Sequence, residues 1–250
     1  MAREVSSISR VGTSEPFELQ VSRGHVAYHQ TLFKYGYNPL IINVNETIWD
    51  GGGIYSYPGS ALAMTVTSAG GATDEDVKVT VVGLDGDFAE AQQEVTLNGS
   101  GTATTTQTFR RVFRAYVSGS QAPTGNITIA NGGTTYAQIT NGENQTLMAV
   151  YTVPAGKTFY LTNGTATHGT GTSGGVFMTV RFMTREFGGV FRTATKIDIV
   201  ESEVLFPFTF PLRLPEKTDV EVRAICNKNQ NNAVSATFEG VLVDNGEALA

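Results

Sequence analysis

One segment of the sequence matches a motif that binds dinucleotide cofactors. Residues 169–174 read Gly-Thr-Gly-Thr-Ser-Gly, which is the GxGxxG spacing that lets a backbone approach a pyrophosphate. That motif binds its cofactor where a helix opens directly after the glycines, whereas a strand is predicted here over residues 176–184. We therefore interpret residues 169–174 as a loop, and we predict no cofactor-binding residue in the chain.

The histidines and the acidic turns are the other candidates for metal chemistry. His25 and His29 are four residues apart and could share one face of a helix, but no glutamate follows His25 and no third ligand is evident. His168 stands alone in a glycine- and threonine-rich stretch. Residues 74–76 and 85–87 are acidic but lack the ligand spacing of a calcium-binding loop. We predict no metal site.

Nucleophilic catalysis is not supported by any local motif. The sequence contains no GxSxG elbow, and residue order nominates no Ser, His and Asp trio. Glycoside hydrolysis by paired carboxylates from distant strands is left open as an alternative, but no observation in the sequence supports it. Cys226 is the only cysteine, which excludes an internal disulfide, and we interpret it as a small apolar residue at the end of a strand. We expect no catalytic residues and no enzyme activity.

Composition excludes two classes of partner. Charged residues make up 16% of the 250 residues and the net charge is −6, whereas binding nucleic acid through its phosphates needs a dense basic face. No stretch has the roughly 18 consecutive apolar residues of a membrane span, and residues 1–7 lack the apolar region of a secretory signal. We expect no nucleic-acid or membrane partner and a protein made in a cytoplasm. A polar but weakly charged surface favours packing against other subunits.

Alternating apolar and polar residues predict an all-β protein. This pattern, typical of half-buried strands, runs through residues 61–68 and 77–82 and returns repeatedly after residue 125. Asp-Gly and Asn-Gly pairs separate the segments, as expected for turns between antiparallel strands. The prediction is two tandem antiparallel β-sandwiches of jelly-roll type, at residues 40–120 and 121–250, preceded by an extended N-terminal arm at residues 1–39.

The arm and the glycine-rich segment after it supply the interface candidates. Apolar residues in the arm are too sparse for a core of their own, so we expect the arm to lie along a partner. The alternative is an N-terminal strand and a short helix docked on the chain's own domain. Trp49 is expected to anchor its domain rather than bind a ligand. The candidate interface residues are Phe17, Leu19, Val21, Phe33, Trp49, Tyr55 and Tyr57.

Two further patterns concern the strands themselves. Basic residues on predicted strands either protect exposed edges or form salt bridges to adjacent subunits; they are Arg110, Arg111, Arg114, Arg181, Arg185, Arg192 and Lys196. Proline cannot donate to a strand ladder. The stretch that contains Pro207, Pro211 and Pro215 is therefore predicted to be an edge strand or a crossover.

Several segments together resemble a family of virion structural proteins from tailed bacteriophages of marine and cyanobacterial hosts. The likeness runs from about residue 16 to residue 244 and is carried by residues 16–24, 48–55, 82–88, 95–99 and 147–157. The resemblance implies a place in a virus particle and transfers no catalytic residues.

The expected function is a non-enzymatic structural protein of the virion, which decorates or cements the capsid through protein–protein contacts. Its expected partners are copies of itself, as a homotrimer, and the major capsid protein or the tail and neck proteins of the same particle, assembled in the host cytoplasm. The alternative is a tail, neck or knob appendage that binds a host receptor or glycan through exposed tyrosines, namely Tyr35, Tyr37, Tyr55 and Tyr57.

Overall fold

The computed structural model describes residues 15–169, 175–200 and 203–247. Strands make up 57% and helix 5% of the structure, and all the named strand pairs are antiparallel. The all-β sandwich prediction is therefore confirmed.

The elements follow the turn signals of the sequence. One short helix, α1 (Phe17–Ser22), precedes the strands, and 3₁₀ turns lie at Gly71–Asp74 and Asn245–Glu247. The strands are β1 (His29–Ile41), β2 (Glu46–Thr47), β3 (Leu62–Ser68), β4 (Lys78–Leu84), β5 (Glu90–Thr96), β6 (Thr102–Phe109), β7 (Arg111–Val117), β8 (Ile127–Asn131), β9 (Thr134–Ile139), β10 (Val150–Thr152), β11 (Lys157–His168), β12 (Met178–Arg185), β13 (Arg192–Ile199), β14 (Glu203–Leu214), β15 (Asp219–Cys226) and β16 (Asn232–Asp244).

Eight of these described strands form a jelly roll. If β1 and β10 to β16 are taken in order, the first pairs with the last, the second with the seventh, the third with the sixth and the fourth with the fifth. This is the pairing of one long antiparallel ribbon rolled into two packed sheets. The sheets run β1-β16-β11-β14 and β10-β15-β12-β13, and β2 adds to β15. Their inner faces bury a core that includes Phe159, Phe182 and Phe238.

The other strands form a second sandwich between β2 and β10. Its sheets are β6-β3-β8-β9 and β5-β4-β7, and the side chains that face inward, such as Val66, Val79, Phe109 and Ile129, are fully buried. Alternating strands produce this arrangement because one side of each pleated sheet is apolar. Phe113 of this inserted sandwich also packs into the core of the jelly roll, so the two units are in direct apolar contact.

Strand pairing groups the chain differently from the predicted boundaries at residues 39/40 and 120/121. Residues 29–41, of which 29–39 were predicted as part of an extended arm, form β1 and pair with β16 from His29↔Val243 to Ile41↔Asn232. The alternative of a docked helix and strand therefore describes residues 17–41, and residues 1–14 lie outside the described part. β8 pairs with β3, although the boundary placed them in different sandwiches. A period of two predicts a strand but does not specify its partner.

The prolines mark a sheet edge as predicted. β14 ends the order β1-β16-β11-β14 and contains Pro207 and Pro211, while Pro215 follows it directly. The opposite sheet ends in β13, where Arg192 and Lys196 are exposed. Charged side chains on an edge strand oppose pairing with another chain, so the edge role predicted for these two basic residues agrees with their position.

Gly36 allows β1 to close against the junction of the two sandwiches. A Cβ atom at this position would lie 2.3 Å from both the backbone nitrogen of Ala149 and the carbonyl oxygen of Ile48. Backbone atoms cannot move aside as a flexible side chain can, and well-packed interiors do not absorb an added carbon freely. Glycine is therefore required by the close approach of the backbones.

We expect Gly36→Ala to lower the free energy of unfolding by about 1–3 kcal/mol, the usual range for overpacking. Urea unfolding followed by circular dichroism measures this change. Gly59→Ala is the matched control, because a Cβ at Gly59 meets nothing within 4 Å and the smaller conformational freedom of alanine in the unfolded chain favours folding. Equal midpoints for the two variants would contradict the interpretation.

Candidate assembly surface

The outer face of the sheet β1-β16-β11-β14 carries large apolar and aromatic side chains that do not enter either core. The register places Phe33 beside Glu239, which lies beside Asn163, and places Thr31 and Tyr160 on either side of Val241. Phe33 is 61% exposed. Since neighbouring residues along each strand point into the jelly-roll core, this row faces away from it.

A groove crosses one end of this face. Helix α1 and the strands enclose a cavity of about 700 Å³, which we call the outer groove. Its apolar walls come from all five elements around it and include Phe17, Val21, Phe33, Tyr160, Pro211 and Val241. The carboxylates of Glu18 and Glu239 and the ring of His29 also line it, so the groove is mainly apolar with an acidic contribution.

Helix α1 is held at the groove by one face only. Val21 is buried, whereas Phe17 and Leu19 are about half exposed. The ring of Phe17 makes an edge contact with His29, with centroids 6.0 Å apart. The helix begins after Pro16, whose carbonyl oxygen accepts from the backbone N–H groups of Leu19 and Gln20. Phe17 is therefore fixed at the rim of the groove with half of its surface open.

Paired hydroxyl groups lie on the outer face beyond the groove. The side-chain oxygens of Thr165 and Thr237 are 2.5 Å apart and those of Thr167 and Ser235 are 2.6 Å apart, and Tyr35 hydrogen-bonds to Ser235. Cross-strand hydroxyl pairs of this kind stabilise a sheet without placing charges on its surface. The outer groove therefore continues into a polar surface with few charges, among them the exposed Glu203 opposite Thr167.

A buried ionic cluster fixes the two sandwiches to each other. Asp219 on β15 of the jelly roll is only 1% exposed, and its Oδ1 lies 2.7 Å from Nε of Arg111 on β7 of the inserted sandwich. Its Oδ2 lies 2.6 Å from Nη2 of Arg185 on β12, and the hydroxyl of Thr152 donates to Oδ1 at 2.6 Å. Every oxygen of this buried carboxylate is therefore charge-paired, which buried charges require.

Glu221 forms the second half of the cluster. Burial raises the pKa of Glu221, and the neighbouring guanidinium of Arg223 opposes that rise. Tyr57 donates to Glu221 Oε2 at 3.2 Å, and the Arg185 guanidinium stacks over the ring of Tyr57 at 4.5 Å. Such cation–π contacts gain strength where water is excluded. Both carboxylates are thus engaged in holding the fold.

The remaining candidates for chemistry have structural partners. Within the three described ranges, no three His, Cys, Asp or Glu side chains form a group that could hold a metal ion. Asp74 of the first acidic turn is buried and accepts hydrogen bonds from Ser68, Thr124 and Gly125. Cys226 is buried. Residues 170–174 of the glycine-rich motif lie outside the described residues.

The predicted interface residues fall into two groups. Three of them, Val21, Trp49 and Tyr55, are buried within this chain; the indole of Trp49 donates to the carbonyl of Gly53 at 3.2 Å, as expected for an anchor. Tyr57 is half-buried in the ionic cluster. Phe17, Leu19 and Phe33 are exposed at or near the outer groove, and their contact with other chains stays a prediction.

Sequence reasoning assigned Arg111 and Arg185 to exposed edges or to salt bridges between subunits, and this was wrong. Both bind Asp219 inside the same chain, because the turn after β14 brings a distant carboxylate between them. The lining contributed by Tyr160, Pro211 and Val241 was missed entirely. The alternation of Tyr160 with buried Phe159 and Leu161 was visible in the sequence, but the strand pairing that brings the three lining residues together was not.

No protein-family model matches the chain, and no curated protein matches its sequence. Among solved structures, the chain is similar to T=1 particles derived from infectious bursal virus, with 12% identity over 88% of this chain and 70% of that chain and a TM-score of 0.28. It is also similar to the VP2 subviral particle of infectious bursal disease virus, with 11% identity over 89% and 74% of the two chains and a TM-score of 0.25. STIV MCP gives 13% identity over 89% of this chain and 99% of that chain, with a TM-score of 0.24. TM-scores this low do not establish a shared fold, and the jelly roll is identified by the strand pairing of the chain itself.

In the part of the chain that the structure describes, no helix has the length and apolar character needed to cross a membrane.

We expect Asp219→Asn to lower the free energy of unfolding by about 3–5 kcal/mol, because it leaves two arginines near a site without a compensating charge. Urea unfolding at neutral pH measures the loss. Lys78→Met is the control: it breaks the ion pair with Glu94, in which the two side chains are 50% and 47% exposed, and exposed pairs contribute about 1 kcal/mol or less. A similar small loss in both variants would show that the cluster does not hold the sandwiches together.

Proposed function

We propose that this protein is a non-enzymatic structural subunit of a virion, which assembles with copies of itself through the outer groove. The observation that carries the proposal is the groove of about 700 Å³, bordered by half-exposed Phe17 and 61% exposed Phe33. Jelly rolls occur in viral capsid, lectin and cupin domains, so the fold alone does not select the function. The exposed surface favours assembly.

A second copy of this chain is the proposed occupant of the groove. Exposed apolar patches rimmed by polar residues mark contacts with protein or ligand, and aromatic side chains supply much of the binding energy at such contacts. The weakly charged hydroxyl surface that continues from the groove lowers the desolvation cost of a wide contact. A stable contact of this kind buries ~1,000 Å² or more, and the sheet face offers a continuous area beyond the groove.

The specific role we propose is decoration or cementing of the capsid of a tailed bacteriophage, with the protein as a homotrimer bound to the major capsid protein. Closed symmetric oligomers are the usual outcome of association between identical chains. The resemblance over residues 16–244 supports this role. Location in the virion follows from it, and neither nucleic acid nor membrane is a proposed partner.

A tail, neck or knob appendage that binds a host receptor or glycan is the second candidate. Tyr35 is 38% exposed next to the hydroxyl pairs of β11 and β16, and an aromatic ring beside hydroxyl groups suits a sugar. Tyr55 and Tyr57 do not support this candidate, because Tyr55 donates to the carbonyl of Val112 at 2.6 Å and Tyr57 is held in the ionic cluster.

We expect the purified chain to form an oligomer, and Phe33→Asp to weaken self-association by about tenfold or more, as for the loss of an aromatic interface residue. Sedimentation velocity over a range of protein concentrations measures the equilibrium. Val190→Asp is the matched control, since Val190 is 71% exposed and lies between β12 and β13, away from the groove.

Two results would contradict the proposal: a wild-type chain that stays monomeric at all concentrations, or equal weakening by both substitutions. Localisation of the subunit by cryo-microscopy of the particle separates the specific roles. Hundreds of copies on the shell would support decoration, whereas a few copies on the tail would support the appendage.

A further inference from the structure

Lys34 is a buried cation between the jelly roll and the inserted sandwich. It lies on β1, it is only 8% exposed, and its Nζ donates to the carbonyl oxygen of Phe113 at 2.5 Å. The Nζ atom also lies 5.6 Å from the centroid of the Phe113 ring. These contacts fix the position of the amine, but a carbonyl dipole and a ring face do not neutralise a full charge.

No carboxylate of the described residues forms an ion pair with Lys34 or with Arg114. Burial lowers the pKa of Lys34, and the like charge of Arg114 lowers it further, to about 7. Burying an amine beside a second cation is costly unless a negative group arrives. Lys34 differs in this respect from Asp219, whose buried carboxylate oxygens are paired with Arg111 and Arg185.

A cavity of about 260 Å³ opens at this position. Four apolar residues, Phe33 among them, line it together with Lys34, Arg114 and the polar side chains of Tyr35, Gln145, Thr146 and Tyr151. Its lining contains no carboxylate. The Thr146 oxygen accepts from the backbone N–H of Ala115 at 3.2 Å, so its own hydroxyl hydrogen is left to donate. Hydrogen-bond donors from β1, β7, β10 and the loop before β10 therefore converge.

We propose that this cavity, the Lys34 pocket, binds an oxyanion of the carboxylate, sulfate or phosphate class. Lys34 and Arg114 would supply the charge, and the hydroxyl and amide groups would supply directional hydrogen bonds, which are strong when the acceptor is ionised. The anion has two sources: a free ion from solution, or an acidic side chain of a second copy of this chain. The site does not depend on the outer groove being an interface.

The pocket predicts a dependence on pH. The groups that face Lys34 are Arg114 on β7, Tyr35 on β1 and Tyr151 on β10, with Glu143 close to Tyr35 and Glu90 close to Tyr151. Burial raises the pKa of both tyrosines, so they stay neutral near pH 7. Because the anion needs the charged amine, its affinity is expected to fall as pH rises through about 7, the pKa of Lys34.

Isothermal titration calorimetry with sulfate and with acetate tests the proposal, because neither probe changes charge between about pH 6 and about pH 9. We expect the wild-type chain to bind with one site, and about tenfold or more weakly at the higher pH, where the competent charged form is a small fraction. Lys34→Met keeps the apolar stem and is expected to abolish binding. Lys78→Met, which removes an exposed lysine, should bind as the wild type does.

Arg114→Gln tests the second cation at an exposed position, where folding is not at risk, and is expected to weaken sulfate binding several-fold. If the source is an acidic side chain of a second copy, sulfate will compete with self-association in sedimentation velocity, and Lys34→Met will weaken that association. Two results would overturn the proposal. In the first, the wild-type chain binds neither probe and sulfate does not change its self-association; in the second, Lys34→Met binds the probes as the wild type does. Phe33 lines both cavities. Phe17→Asp changes a residue that lines only the outer groove, so this variant lets each proposal fail separately.

Discussion

Pairing between β1 and β16 joins residues from opposite ends of the described chain, from His29 beside Val243 to Ile41 beside Asn232. The other jelly-roll pairs must then nest inside this outermost one, and the inserted sandwich must leave and return between β2 and β10. Contacts between residues so far apart in sequence require a large loss of loop-closure entropy before the contacts themselves can stabilise the fold. The close backbone approach at Gly36 lies on the strand that makes this closure possible.

The ionic cluster adds specificity to this topology. An apolar contact lets the two sandwiches shift relative to each other, whereas the two hydrogen bonds between Arg111 and Asp219 form only at one relative position of the sandwiches. Removing one member of a buried pair is far more costly than replacing the whole pair by apolar residues. The cluster is therefore better understood as a device that fixes the relative position of the sandwiches than as a net source of stability. The rings of Tyr57 and Phe191 also stack on the Arg185 guanidinium.

Local patterns in the sequence predicted most of the strands, the turns between them and an edge or crossover at the proline-containing β14, but not β1 or β6. They did not predict which strands pair, and so residues 29–39 were assigned to an arm although they belong to the strand that completes a sheet. The same lack of long-range information explains Arg111, whose partner Asp219 lies 108 residues away. Phe17 and Phe33 were identified as interface candidates from their apolar character in a polar context, but the groove they border needs four strands and a helix to exist.

The prolines of β14 limit how this protein can grow into larger structures. The ring nitrogens of Pro207 and Pro211 carry no hydrogen, so this edge cannot supply the regular run of donors that an incoming β-strand needs. Continuous cross-β stacking into fibrils is thereby blocked at one end of the sheet that carries the exposed aromatic residues. Subunits crowded at high local concentration can then meet through their faces, in contacts that close on themselves, without polymerising edge to edge.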